Sequence, residues 1–202
     1  MQTKVRIVAM GDSTTAGTPG FASPIEAPPD GRGDERSQYA YWLMQRHPDW
    51  DVLNRGVNGE RTDQIAARFE RDVVDAAPRV VVIIAGVNDL YQGRSADDVT
   101  RGLRGMYDRA ARAGIRVVAG TIIPFNTATA DQNERMRSVN RWIREQAERN
   151  AAIGFVDTRA AVAAPGSPDT LVSSPDKLHP SADGYRLMAE AIGPSIIAAL
   201  KR

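Results

Sequence analysis

The sequence predicts an α/β fold of stacked β-α units, and three observations carry that reading. Five short runs rich in apolar and β-branched residues recur along the 202-residue chain. Between them lie longer stretches whose apolar residues return at helical spacing, and Gly or Pro stands at several of the junctions. Strands that alternate with helices in this way build sheets of stacked β-α units.

The elements follow in order. Lys4 to Met10 reads KVRIVAM, a run suited to a strand buried on both faces, and it stops at Gly11. Thr18 to Arg36 is punctuated by prolines and glycines and predicts no regular element. A helix is expected over 36–46; His47 follows it, before Pro48, and reads as a terminal or surface residue. A short strand over 51–55 leads into Gly56 and Gly59. A helix over 62–76 places Ile65, Phe69 and Val73 on one stripe facing the sheet, and Pro78 stops it. Arg79 to Gly86 is the strongest buried-strand signal in the chain. Helices over 95–113 and 131–150 bracket a strand over 115–120, with Gly114 as the stop of the first. A strand over 153–156 and a loop from Ala163 to Lys177 precede the last helix, Ala182 to Leu200, with Ser181 as its N-cap.

Length and composition narrow the function. The chain is long enough for one domain with a full core, spanning 1–202. Its net charge of +1 comes from interspersed acids and bases with no basic block, which argues against nucleic acid as a partner. The absence of cysteine excludes disulfides, thiolate metal sites and a cysteine nucleophile. No window approaches a transmembrane span and no apolar leader precedes the first strand. The sequence as given therefore reads as cytoplasmic, or as secreted if a signal peptide has been removed. Oligomeric state is not encoded in any recognisable pattern.

Four short blocks carry chemistry. Ser13, in Gly11-Asp12-Ser13-Thr14, lies just past the carboxyl end of the first strand, where open α/β sheets place their ligands. Asp176 precedes His179 by three residues, a spacing at which a folded-back loop lets the carboxylate orient the imidazole. The second imidazole nitrogen is then free to take a serine proton, as a general base does. Asn88 follows the most apolar strand and offers a side-chain amide to the same crevice; Gly59 offers a backbone N–H. A rival use of Asp12, Asn88, Asp89 and His179 is as oxygen and nitrogen ligands of a divalent ion in a phosphoesterase.

Together the blocks Gly11-Asp12-Ser13-Thr14, Gly59, Gly86-Val87-Asn88-Asp89 and Asp176 to His179, in that order, resemble those of the SGNH hydrolases, the GDSL-type esterases and lipases. Thr14 departs from the usual Leu or Ile. The resemblance implies a three-layer α/β/α sandwich, flavodoxin-like, with a five-stranded parallel sheet. It implies Ser13 as nucleophile, His179 as base and Asp176 as its orienting carboxylate. The implied oxyanion hole is the Ser13 and Gly59 backbone N–H groups with the Asn88 amide, and no cofactor or metal is expected. The expected partner is a small-molecule ester carrying a short acyl or acetyl group, acetylated carbohydrates included. Phe21 and Ile25 in the first irregular segment, with Tyr91, Pro124 and Phe125, are candidate substrate contacts. Acyl transfer, thioester or lysophospholipid hydrolysis on the same residues, and a non-catalytic carbohydrate-binding module, stand as alternatives.

Overall fold

The computed structural model describes residues 4–201. Its central sheet has five parallel strands: β1 (Val5–Gly11), β2 (Trp50–Gly56), β3 (Val80–Ile84), β4 (Arg116–Gly120) and β5 (Ile153–Val156). They lie in the spatial order β2-β1-β3-β4-β5, the doubly wound order of flavodoxin-like sheets. Gly11 pairs with Gly56 on one side and Ile84 on the other, so the three exits are level at the point where strand order reverses. Among the described residues, eight α-helices connect and flank the strands: α1 (Ser13–Ala16), α2 (Tyr39–Arg46), α3 (Thr62–Ala67), α4 (Val87–Tyr91), α5 (Ala96–Arg112), α6 (Ala130–Arg149), α7 (Thr158–Val162) and α8 (Ala182–Leu200).

Strand residues alternate between two cores because successive side chains point to opposite faces. Val8, Met10, Val81, Ile83, Val117 and Ala119 pack with α3 and the segment after it, α5 and α6 through Ile65, Phe69, Leu103, Met106 and Val139. Ile7, Ala9, Val80, Val82, Ile84 and Val118 pack with α2, α7 and α8 through Tyr39, Leu43, Val162, Tyr185, Met188 and Ile192. The three layers that the family resemblance implies are thus present, and all five strands fall within one or two residues of their expected bounds. Among the described residues, no helix is long and apolar enough to cross a membrane.

Two expectations need correction. The helix expected over 62–76 is broken: α3 ends at Ala67, Arg68 leaves helical geometry at φ −103° and ψ 9°, and Glu70–Val74 winds as a wider π-type turn. The apolar stripe survives, since Ile65, Phe69 and Val73 are all buried. The break falls where the Arg68 guanidinium turns inward to the strand ends, a demand that apolar periodicity does not report. The segments without expected structure also contain short antiparallel ribbons, Phe21–Ala22 with Arg32–Gly33 and Ala163–Ala164 with Ser167–Leu171.

Candidate active site

Ser13 begins α1, a single helical turn set on the exit of β1. The preceding Asp12 caps this turn, its Oδ1 accepting the Thr14 N–H at 3.0 Å. Thr15 Oγ1 bonds Tyr39 Oη at 3.1 Å, and Asn54 Nδ2 donates to the Ala16 carbonyl at 3.0 Å. The turn presses so closely on β2 that a Cβ at Gly56 would lie 2.0 Å from the Ala16 nitrogen. Only glycine fits there, and its absence of side chain fixes where Ser13 stands.

Asn88 lies in the first turn of α4, directly beyond β3. Its amide donates one hydrogen bond to the Glu60 carbonyl at 2.9 Å, which orients the group and leaves its second N–H for the crevice. Asp89 turns away from the crevice and accepts both the Thr62 backbone N–H and hydroxyl at 2.8 Å, tying α4 to the start of α3. Gly59 occupies the loop between β2 and α3 at φ +79°, a left-handed conformation that favours glycine.

The Asp176–His179 block folds back on itself as its spacing suggests. Lys177 adopts a left-handed φ of 68°, and Asp176 Oδ1 accepts the backbone N–H groups of Leu178 and His179 at 2.9 and 2.8 Å. Asp176 Oδ2 lies 2.7 Å from His179 Nδ1, and His179 Nε2 lies 2.9 Å from Ser13 Oγ. Residues from opposite ends of the chain therefore form one continuous hydrogen-bonded relay.

The carboxyl groups around this relay are tuned apart. Burial pushes Asp176 up, but the bonds from the His179 ring and the two backbone N–H groups outweigh it and hold the group below the usual carboxylate range. Asp12 is pushed up to about 7, because burial outweighs its bond from Thr14. Asp89 is also raised by burial, against the opposing Thr62 bonds. An ionised Asp176 beside the imidazole is the arrangement that stabilises an imidazolium when a serine proton arrives.

The relay opens into a cavity of about 160 Å³ lined by Ser13, Thr14, Asn58, Val87, Asn88, Tyr91, Ile123, Phe125, Leu178 and His179. Tyr91 and Phe125 thus border the site, packed edge to face with ring centres 5.9 Å apart. Pro124 lies between two lining residues without lining the cavity itself. Phe21 is buried and lines a separate cavity of about 670 Å³ beside β2, and Ile25 borders neither. The first irregular segment folds back onto α2 and β2 rather than over Ser13, as the bond from Ser23 Oγ to the Gly56 carbonyl at 2.6 Å illustrates. Val87, Ile123 and Leu178 went unrecognised as lining residues, although Leu178 stands inside the Asp-x-x-His block and Ile123 two residues before Phe125. The alternative divalent-cation site does not assemble: Asp89 is spent on Thr62, and no group of three His, Asp or Glu side chains is placed to hold a metal among the described residues.

A serine, imidazole and carboxylate relay at the switch point of a doubly wound sheet is the arrangement of a serine hydrolase. The chain belongs to the GDSL-like Lipase/Acylhydrolase family, whose model matches residues 9–187. Among curated proteins it is similar to an acetylxylan esterase from Geobacillus stearothermophilus, 29% identical over an alignment of 156 residues, with 69% of each chain covered. The fold is shared with a GDSL-like lipase from Bacteroides thetaiotaomicron VPI-5482 at a TM-score of 0.77 and 24% identity, covering 96% of this chain and 88% of that one. It is shared also with the acetylxylan esterase Axe2 of Geobacillus stearothermophilus at a TM-score of 0.72 and 23% identity, covering 97% and 96%.

Proposed function

We propose that Ser13, His179 and Asp176 hydrolyse short-chain acyl esters of hydroxylated alcohols, acetylated sugars being the leading case. The observation that carries this reading is the 2.9 Å contact between Ser13 Oγ and His179 Nε2, with the imidazole held from behind by Asp176. Ser13 Oγ attacks the ester carbonyl while its proton passes to Nε2. The carbonyl oxygen becomes an oxyanion, received by the Ser13 and Gly59 backbone N–H groups and the Asn88 amide. His179 returns the proton to the departing alcohol, leaving an acyl-serine. Water deprotonated by the same nitrogen then releases the acid and regenerates Ser13.

Size and polarity support the short acyl group. The cavity of about 160 Å³ is well below the roughly 300–1,000 Å³ of pockets that enclose drug-sized ligands. Val87, Ile123 and Phe125 provide an apolar wall suited to a methyl or ethyl group. The alcohol then lies toward the mouth. Tyr91, Val172 and Leu178 are the exposed large apolar side chains among the described residues, at 58%, 45% and 38%, and two of the three line this cavity. Such concentration marks a contact surface, and an aromatic face beside the polar Asn58 suits a sugar ring. The name of the similar acetylxylan esterase agrees with this choice.

The test is a panel of 4-nitrophenyl esters from acetate to decanoate, run beside acetylated xylo-oligosaccharides on wild type and Ser13→Ala. Turnover should peak at two to four acyl carbons, extend to the acetyl sugars and vanish in the variant. Activity that rises toward decanoate would overturn the short-acyl assignment, and activity that survives Ser13→Ala would overturn the nucleophile.

A further inference from the structure

We infer that Arg68 is a positioning residue for the oxyanion hole, an assignment that rests on the esterase reading above. Its side chain is only 9% exposed, and its guanidinium bonds the segments that lead to Ser13 and Gly59 directly and the Asn88 amide through Glu60. Nη2 donates to the Gly11 carbonyl at 3.0 Å, two residues before Ser13. Nη1 donates to the Arg55 carbonyl at 2.9 Å, at the exit of β2 that leads to Gly59. Nε donates to the Glu60 carboxylate at 2.7 Å, and the carbonyl of that same Glu60 receives the Asn88 amide at 2.9 Å. One planar group therefore sets the mutual spacing of the Ser13 turn, the Gly59 loop and the Asn88 amide.

The arrangement needs arginine specifically. Three segments approach from different directions, and only a rigid fork of five donors serves them together; a lysine ammonium offers one point charge at the end of a flexible stem. The charge is balanced by Glu60 and by Asp72, whose Oδ2 accepts from Nη1 at 2.7 Å and which is held in turn by Arg71 at 2.7 Å. The break between α3 and the Glu70–Val74 turn occurs at Arg68 itself. Helix continuity is thus given up at the residue that gathers the strand ends. Oxyanion donors act by being in place before charge develops, so a displacement of about 1 Å in this frame suffices to lower turnover by about 10²-fold.

The experiment is a double-mutant cycle of Arg68→Gln and Asn88→Ala, read as kcat and KM for 4-nitrophenyl acetate at a temperature where all forms are folded. Arg68→Gln should lower kcat by about 10²-fold with KM changed less than about threefold. In the Asn88→Ala background the same substitution should cost less than about tenfold, because the donor it orients is already gone. Val73→Ala, in the adjacent Glu70–Val74 turn but packed in the core, should lower Tm without that loss of kcat. Should Arg68→Gln fail to fold, Arg68→Lys takes its place, with a kcat loss of about tenfold and the same sub-additivity expected. Strictly multiplicative effects, or a kcat within threefold of wild type, would overturn the proposal. A wild type without Ser13-dependent activity would instead overturn the esterase reading, and this inference with it.

Discussion

Ser13 and Asn88 stand at the ends of buried parallel strands, whereas Asp176 and His179 ride on a loop that leaves the sheet altogether. On the first side the groups that fix the geometry are almost sealed: Asp12 is 1% exposed, Ser13 4% and Asp89 0%. On the second, the side chains of His179 and Asp176 are 12% and 31% exposed. The loop is tethered by a few directed bonds, among them Asn126 N–H to the Lys177 carbonyl at 2.7 Å and Ser181 N–H to the Ser173 carbonyl at 3.1 Å. The half that holds Ser13 and Asn88 is therefore part of the core, and its accuracy comes from packing that the whole domain shares. The proton-relay half is a local structure whose accuracy comes from hydrogen bonds of its own. Damage to the buried groups that pack the first, such as Asp12 and Asp89, is expected to appear in stability as well as turnover, and damage to the second mainly in turnover.

The largest effect tests whether the two halves are equivalent in chemistry despite this difference. Ser13→Ala and His179→Ala should each lower kcat for 4-nitrophenyl acetate by about 10⁴-fold or more, and the double variant should be scarcely worse than either, since the pair acts as a unit. Thermal unfolding should move little in both, because Ser13 Oγ bonds only His179 among the described contacts. A double variant with multiplied losses would show that the two side chains act independently, and the relay would have to be abandoned.

The same division explains what was legible in the sequence. The β-α order and the buried strands were readable because apolar runs and helical stripes report directly which residues face a core. The relay was readable because His179 follows Asp176 by three positions, a local geometry that needs no tertiary information. The convergence of that block with Ser13 rests on topology, and the resemblance to a known family supplied it. Phe21 and Ile25 were misplaced for a physical reason: nearness in sequence to Ser13 does not say which way a Pro-rich segment folds, and this one is drawn onto α2 and β2. Arg68 was illegible, because an arginine inside an amphipathic helical pattern looks like any solvated face until its guanidinium is seen to turn inward.

A second prediction sharpens the buried half. Asp12 carries a carboxyl whose ordinary value of 3.8 is pushed up to about 7 by burial. Between those two values the native state keeps a proton that the unfolded chain has lost, so stability falls as pH rises through the window, and the loss is complete above it. Asp12→Asn keeps an oxygen for the Thr14 N–H and removes the charge. Urea unfolding at about pH 4 and about pH 8 should then show wild type losing stability relative to the variant, by at most about 4 kcal/mol. A constant difference across that range would mean that Asp12 is ionised throughout and that its burial is compensated by other donors.

The smallest effect probes the tether of the exposed half. Asn126 Oδ1 accepts the Leu171 N–H at 2.7 Å, joining the segment after β4 to the ribbon that leads into the Asp176 loop. Asn126→Ala removes that acceptor but leaves the backbone bond to Lys177, so the loss in folding stability should be only about 1 kcal/mol. The relay has no packed core to hold it once this strut is gone, and His179 should sample positions outside proton-transfer reach of Ser13. Turnover should fall about tenfold with KM nearly unchanged, and hydrogen exchange should rise across 171–179 while β1 and β3 remain protected. The reverse pattern, a large fall in Tm with turnover intact, would place Asn126 in the fold rather than in the relay and would erase the distinction between the two halves.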